Sequence, residues 1–565
     1  MSKVEQLITE HIDIWTSAIL AKSTAGRGSN KKYELYGIKK LRELILELAV
    51  RGKLVPQDPS DEPASVLLER IAAEKAKLIK EGKVKKSKPL PEIGEDEKPF
   101  ELPQGWELVK FGEIYSLEYG NNLPQAKRSN TGEYNVYGSN GVVGSHNMRS
   151  VSSPCIVVGR KGSAGALNIC FDDGCWVTDV AYSCIPPAGI DLEFSFIQLH
   201  TLGLDSLGKG IKPGLNRNEA YVINLGIPPL EEQQRIVAKV DELMLLCDQL
   251  EQQTETSIDA HATLVEVLLA TLTDSADANE LAQNWARVSE HFATLFTTEQ
   301  SIEALKQTLL QLAVMGKLVP QDPNDEPAAV LLEKIAAEKA QLIKDKKIKK
   351  EKPLPPIGDD EKPFELPKGW EFYRLGELVE KLGSGSTPRG GQSAYVPTGI
   401  PFLRSQNVWN EGLNTHDIAY ITEETHQRMS NTVVYPGDIL LNITGASLGR
   451  SVIFPNTFPE ANVSQHVTIA RLINPAMTPF VHLCIRSPLL QRTVWERQVG
   501  MAIEGLSKKV LELFEITIPP LAEQHRIVAK VDELMSICDQ LKTNLQQSQE
   551  TQVHLTDALI VQALG

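Results

Sequence analysis

Residues 41–106 reappear without a gap as residues 305–370, and 49 of the 66 aligned positions are identical. Both copies carry GKLVPQDP, then DEP, VLLE and IAAEKA, and both end in EKPFELP-x-GW. A second block, residues 227–250, returns as 518–541 with 20 of 24 positions matched. Both copies read IPPL-x-EQ-x-RIVAKVDELM and then CDQL. The first block repeats at an offset of 264 and the second at 291, so the segments between them, 104–226 and 368–517, differ in length. These middles resemble each other only faintly. A solenoid repeats roughly every 20–50 residues. Here a whole two-part unit is duplicated, and a nearly identical frame carries two divergent inserts.

The frame reads as helix. Pro228 and Pro229 suit a first turn, and Glu231 and Glu232 favour the positive end of the helix dipole. Apolar residues then fall at Ile236, Val240, Leu243, Cys247 and Leu250, and again at Ile527, Val531, Leu534, Cys538 and Leu541. That alternating four-three spacing is a coiled-coil seam. It reads either as internal packing or as a face for docking partner subunits. A helix from Pro229 to about Leu269 would be ~60 Å long at ~1.5 Å per residue. It would span ~18 base pairs at ~3.4 Å each, enough to hold two reading heads at a fixed separation. The other block starts on Leu41, Leu44, Leu48 and Val50 and turns at 52–56. It continues as a helix from Ala64 to about Lys80. A Lys- and Pro-rich linker, 83–98, follows and is mirrored at 346–362. The order of parts, with helices at both ends, predicts a frame closed on itself with a pseudo-twofold axis. Residues 1–40 and 254–301 have no aligned duplicate, and the polar stretch 23–32 reads as a linker.

The chain has 565 residues, too many for one core, and its 42% apolar content is ordinary for globular domains. The expected fold is mixed α/β: two globular target-recognition domains separated by long antiparallel coiled-coil helices. The segments are 1–103, helical with a linker; 104–226, the first domain; 227–367, a helical spacer with a linker; 368–517, the second domain; and 518–565, helical.

Both inserts show short β-type runs broken by Gly and Asn clusters. Polar and basic residues sit in the Gly-rich turns. In the first insert they are Ser139 and Asn140, Arg160 and Lys161, and Lys209 and Lys212. In the second they are Arg389, Arg404, Gln406 and Asn407, Thr444, and Lys508 and Lys509. Arg suits the guanine edge, Asn or Gln the adenine edge, and Lys the phosphates. The net charge of −15, taken alone, argues against a nucleic-acid partner, because phosphate binding needs local Lys and Arg. DNA binding depends on a local patch and not on the average, so weak DNA binding is expected of the chain alone.

Catalytic motifs fail to assemble. The run from Gly203 to Lys209 approaches a phosphate-binding loop, but Gly210 stands where the Mg²⁺-binding hydroxyl belongs. The seven cysteines form no CxxC pair, so neither a zinc site nor a catalytic residue is assigned. The thiols read as reduced. No stretch approaches the ~18 apolar residues of a membrane span, and the N-terminus is not a signal peptide. A cytoplasmic protein is expected.

Taken together, the twice-occurring IPPL-x-EQ-x-RIV start, the twice-occurring LP-x-GW, YGSNG at 137–141 and the stretch 445–449 resemble the specificity subunits of type I restriction–modification enzymes. The GKLVPQDP frame resembles the subclass called type IB. The resemblance implies that each insert reads one half of an asymmetric bipartite site in double-stranded DNA. It implies that the frame sets the spacer and docks two methyltransferase subunits, with two restriction/translocase subunits completing the complex. S-adenosylmethionine, ATP and Mg²⁺ would belong to those partners and none to this chain. On the residues alone, a protein-binding scaffold with two heads on coiled coils stays open beside this reading.

Overall fold

The computed structural model describes residues 3–21, 33–82, 89–94, 98, 100–129, 131–208, 214–276, 278–497 and 505–565. The polar stretch 23–32 and most of the linker 83–98 lie outside the described residues. The chain forms two compact units. One comprises residues 1–257 and 547–565, the other 258–546.

The IPPL blocks start two long helices, Leu230–Asp274 with 45 residues and Leu521–Leu564 with 44. The first runs five residues past the expected end at Leu269. The helix Ala64–Lys80 lies where its apolar spacing placed it, and Ala328–Lys344 repeats it. Each follows a proline that cannot continue a helix backwards, Pro63 or Pro327.

The seam residues are core. Ile236, Val240, Leu243 and Leu250 are all at most 5% exposed. Ile527 and Val531 join the second insert's core beside Trp370 and Phe480. Leu534 and Leu541 pack, half-buried, on the cluster containing Leu305, Leu309 and Cys538. Six of these eight positions are buried inside the chain and offer no face to an incoming subunit, while Leu534 and Leu541 keep part of their surface exposed. The seam serves internal packing.

The duplication also reaches further than sequence alignment shows. Helix Lys3–Glu10 ends before His11, which precedes helix Ile12–Ser17; helix Ala278–Glu290 ends before His291, which precedes helix Phe292–Leu295. In both, the histidine carbonyl accepts from the N–H groups three and four residues on. Ile8 and Val288, each 1% exposed, occupy matching positions. Residues 3–17 and 278–295, within the two segments that have no aligned duplicate, therefore share one helix–histidine–helix arrangement. Their sequences diverged because such short helices need only burial at a few positions.

The two inserts share one topology. In the first, a four-stranded antiparallel sheet runs in the order Glu118–Tyr119, Ala181–Cys184, Cys155–Gly159, Leu167–Cys170. In the second, the order is Val379–Ser384, Val467–Leu472, Ile439–Asn442, Ser451–Ile453. Each insert adds a second sheet containing one parallel pair: Tyr134–Gly138 with Trp176–Val177 in a three-stranded sheet, and Ile400–Leu403 with Ala461–Val463 in a four-stranded one. Each is closed at its base by a two-stranded ladder, Glu107–Lys110 with Asn224–Ile227 and Glu371–Arg374 with Glu515–Ile518. That ladder brings the insert's two ends together on the frame.

Candidate nucleic-acid interface

The sheet order brings two polar turns of the first insert together, with Gly214 beside them. The hairpin joining Tyr134–Gly138 to Gly141–His146 turns at Ser139, half-buried, and Asn140, exposed. At Gly159 a Cβ would lie 2.0 Å from the Ser163 carbonyl oxygen and 2.5 Å from that of Ser139. Only glycine lets the loop after it approach the hairpin turn so closely. The Leu215 N–H donates to the Arg160 carbonyl at 2.9 Å, and Gly214 bridges to Lys161. Lys161 is exposed beside them. Lys209 and Lys212 lie outside the described residues.

Arg160 donates through Nη1 to the Asp179 carbonyl at 3.0 Å, and its guanidinium lies 4.6 Å from the Tyr119 ring centre. Arg217 lies over the same ring at 4.7 Å and donates to the Leu117 carbonyl at 3.0 Å. Tyr119 is 50% exposed. Sequence reading missed both Tyr119 and Arg217. A signal existed: the offset of 291 that relates the IPPL blocks sets Arg217 opposite Lys508. Each opens a short helix behind a side-chain cap, Asn216 or Ser507.

The second insert repeats the loop arrangement with other residues. Thr444 bridges to Gly505, and the Leu506 N–H donates to the Ile443 carbonyl at 2.9 Å. The Thr444 hydroxyl lies 2.7 Å from His466 Nδ1. Lys508 is ion-paired with Glu351 and with Glu512. Burial lowers its ammonium pKa, but those two carboxylates outweigh burial and hold it above the ordinary range. Lys509 and Arg389 are exposed.

The 404–407 turn departs from expectation. Arg404 Nη2 donates to the Asp417 carbonyl at 2.7 Å and to its carboxylate at 3.1 Å, and Gln406 donates to the same carboxylate. Asn407 is 1% exposed. Its amide donates to the Asn414 and Asp417 carbonyls and accepts from the Arg404 N–H. With every polar atom engaged, Asn407 braces the loop and leaves the set of base-reading candidates. An outward pair lies next to it. Arg450 packs 3.8 Å from the ring centre of Trp409, which is 38% exposed and donates to the Gln406 carbonyl.

The long helices also carry outward apolar side chains. Leu245, Leu264 and Val267 on the first are 51–59% exposed, and Ile537, Leu555 and Val561 on the second are 42–72% exposed. Leu264 and Leu555 occupy equivalent positions at the offset of 291. Among the described residues, no helix is long and apolar enough to cross a membrane.

The type I restriction modification DNA specificity domain matches residues 103–260 and 367–550. The chain is 42% identical over 600 aligned residues to the type I restriction enzyme EcoEI specificity subunit of Escherichia coli, with full coverage of both chains. It is also 42% identical over 599 residues to the EcoAI specificity subunit of the same species, again with full coverage. A solved chain of a type I R-M system aligns with a TM-score of 0.47 at 18% identity, covering 82% of this chain and 99% of that one.

Proposed function

The chain belongs to the family of type I restriction–modification DNA specificity subunits, and from that premise we propose how its parts divide the work. It is the DNA-recognition member of a multi-subunit complex and carries no catalytic role of its own. The full-length identity to specificity subunits sets aside the protein-binding scaffold.

Each recognition domain reads one half of a bipartite site. The observation that carries this is one topology built twice with different side chains on the converging loops. One frame serves both domains, while two different half-sites require two loop sets. The domains are 104–226 and 368–517. The segments 1–103, 227–367 and 518–565 form the frame, which sets the spacer. Ser139, Asn140, Arg160 and Lys161 contact the first half-site, and Lys209 and Lys212 are further candidates for it. Arg389, Arg404, Gln406, Thr444, Lys508 and Lys509 serve the second.

Two methyltransferase subunits dock on the helices. The outward apolar positions Leu264 and Leu555 suit that role, since burying exposed apolar area drives association. Two restriction/translocase subunits complete the assembly. S-adenosylmethionine, ATP and Mg²⁺ belong to those partners, and the target adenine leaves the stack to be methylated. The net charge of −15 suits a subunit whose partners supply much of the phosphate contact. The type IB-like subclass and a cytoplasmic location are part of the same proposal.

The test is adenine-methylation mapping after co-expression with the partner methyltransferase subunit, against a control lacking this chain. A bipartite motif with a fixed spacer, present only with the chain, supports the proposal. Methylation indifferent to the chain overturns it.

A further inference from the structure

We infer that Arg160, Tyr119 and Arg217 form one guanine-reading element of the first recognition domain; this rests on the reading of that domain as a half-site reader. Three features carry the inference. The two guanidinium groups share one aromatic ring, at 4.6 and 4.7 Å from its centre. Each has a single N–H tied to a backbone carbonyl, Asp179 for Arg160 and Leu117 for Arg217. Neither forms an ion pair with a carboxylate among the described residues, whereas Arg404, Arg374 and Arg471 all do.

The ring and the carbonyl bonds together hold each fork in place; Arg160 also lies 5.8 Å from the Tyr182 ring centre, while Arg217 has no second bonded partner among the described residues. A phosphate contact needs charge and tolerates a mobile stem, as the exposed Lys161 beside them provides. A fixed planar fork suits a flat edge with two adjacent acceptors. In the major groove only guanine presents that pair, N7 and O6; adenine sets an acceptor beside a donor. The element adjoins the turn carrying Ser139 and Asn140 through the loop that Arg160 opens.

The element is particular to the first domain. At the position equivalent to Arg217, the second domain has Lys508, paired with Glu351 and Glu512. At the loop position equivalent to Lys161 it has Thr444, engaged by His466. Two domains that read different half-sites should differ at such places.

The experiment maps the methylation motif of the chain co-expressed with its methyltransferase partner. Wild type is compared with Arg217→Ala, Arg217→Lys, Tyr119→Ala and Tyr119→Phe, and with a chain whose residues 104–226 are exchanged for another such domain. Thermal unfolding confirms that each variant folds. Arg217→Lys keeps the charge and removes the fork. The expected result is that Arg217→Ala and Arg217→Lys both relax a guanine position in one half-site and leave the other half and the spacer unchanged. Binding of the purified complex to its original site falls roughly 10- to 100-fold. Tyr119→Ala shifts the same position, while Tyr119→Phe, which keeps the ring, retains the motif. The inference is overturned if Arg217→Lys keeps the wild-type motif while Arg217→Ala lowers methylation equally at all sites, since that marks a phosphate contact. It is also overturned if the relaxed position is not a G·C pair. Domain exchange that moves one half-site while the Arg217 variants leave the motif intact defeats the element alone. Domain exchange that moves neither half-site defeats the two-reader function itself.

Discussion

The Trp106 indole N–H donates to a Glu232 carboxylate oxygen at 3.0 Å, although the residues lie 126 positions apart. Gln57 donates to the other oxygen at 3.2 Å, and Arg235 pairs with Asp61 at 2.5 Å. The second half repeats the arrangement: Trp370 and Gln321 donate to Glu523, each at 3.1 Å, and Arg526 pairs with Asp325 at 2.7 Å. In each half this latch joins the two repeated blocks across the insert, so the insert can vary while its base stays fixed. Burial pushes both glutamates above the ordinary carboxylate range, partly offset by the bonds they accept. The tightly packed backbone supports the latch. At Gly52 and Gly316, both at positive φ, a Cβ would fall 2.4 and 2.5 Å from Pro103 and Pro367.

Replacing Trp106 or Trp370 with phenylalanine should weaken the latch by about 1–3 kcal/mol, because a buried carboxylate oxygen loses its donor. The two variants should lower the thermal unfolding midpoint by similar amounts, given the matching geometry. A variant that melts like the wild type would show that the latch contributes nothing.

Exchanging residues 104–226 for another recognition domain should change one half of the methylated motif and leave the other half and the spacer untouched. All of the base ladder of Glu107–Lys110 with Asn224–Ile227 except Ile227 lies within the exchanged piece, so the graft carries nearly all of its own closure. Changes in both halves would refute modular reading. Methylation mapping provides the measurement.

Adding one turn, four residues, to each long helix lengthens it by ~6 Å, close to two base pairs at ~3.4 Å. The methylated motif should keep both half-sites and gain spacer length. An unaltered spacer would remove the helices from the role of ruler.

His482 is 9% exposed, and its Nε2 has no hydrogen-bond partner among the described residues. Burial, with Arg486 nearby, pushes its pKa down from 6.5 to about 4. The folded chain therefore refuses a proton that the unfolded chain accepts between those values. The stability contributed by neutral His482 is present above pH 6.5 and is lost as pH falls towards 4, amounting to roughly 3 kcal/mol. His482→Gln should flatten the decline of the denaturant midpoint over that window. An equal decline in variant and wild type would exclude His482 as a contributor.

The repeat made most of the frame legible. Identical blocks at two offsets located both long helices, and the four-three spacing identified their buried seams. Residues 1–40 escaped because the match between His11 and His291 lies in backbone geometry and burial, with few identical side chains. The interface was legible as turns but not as a surface. Arg160 and Lys161 could be named from a Gly-rich run. Tyr119 could not, since it lies 41 positions before Arg160 and meets it only across the sheet. Asn407 misled because an exposed amide and a loop-bracing amide look alike in a sequence.

The sequence by itself determined the duplication, the helical frame, the divergence of the inserts and the family. These are properties of identity and spacing along the chain, and a period of 3.5 or an offset of 291 survives without coordinates. The tertiary structure decided which polar side chains face outward, which are tied down by Asp417 or Glu351, and which aromatic ring gathers two arginines. Sheet order sets those outcomes. A strand's neighbours are chosen by burial and hydrogen bonding over the whole domain, and two loops with no shared motif become adjacent only when the sheet has formed.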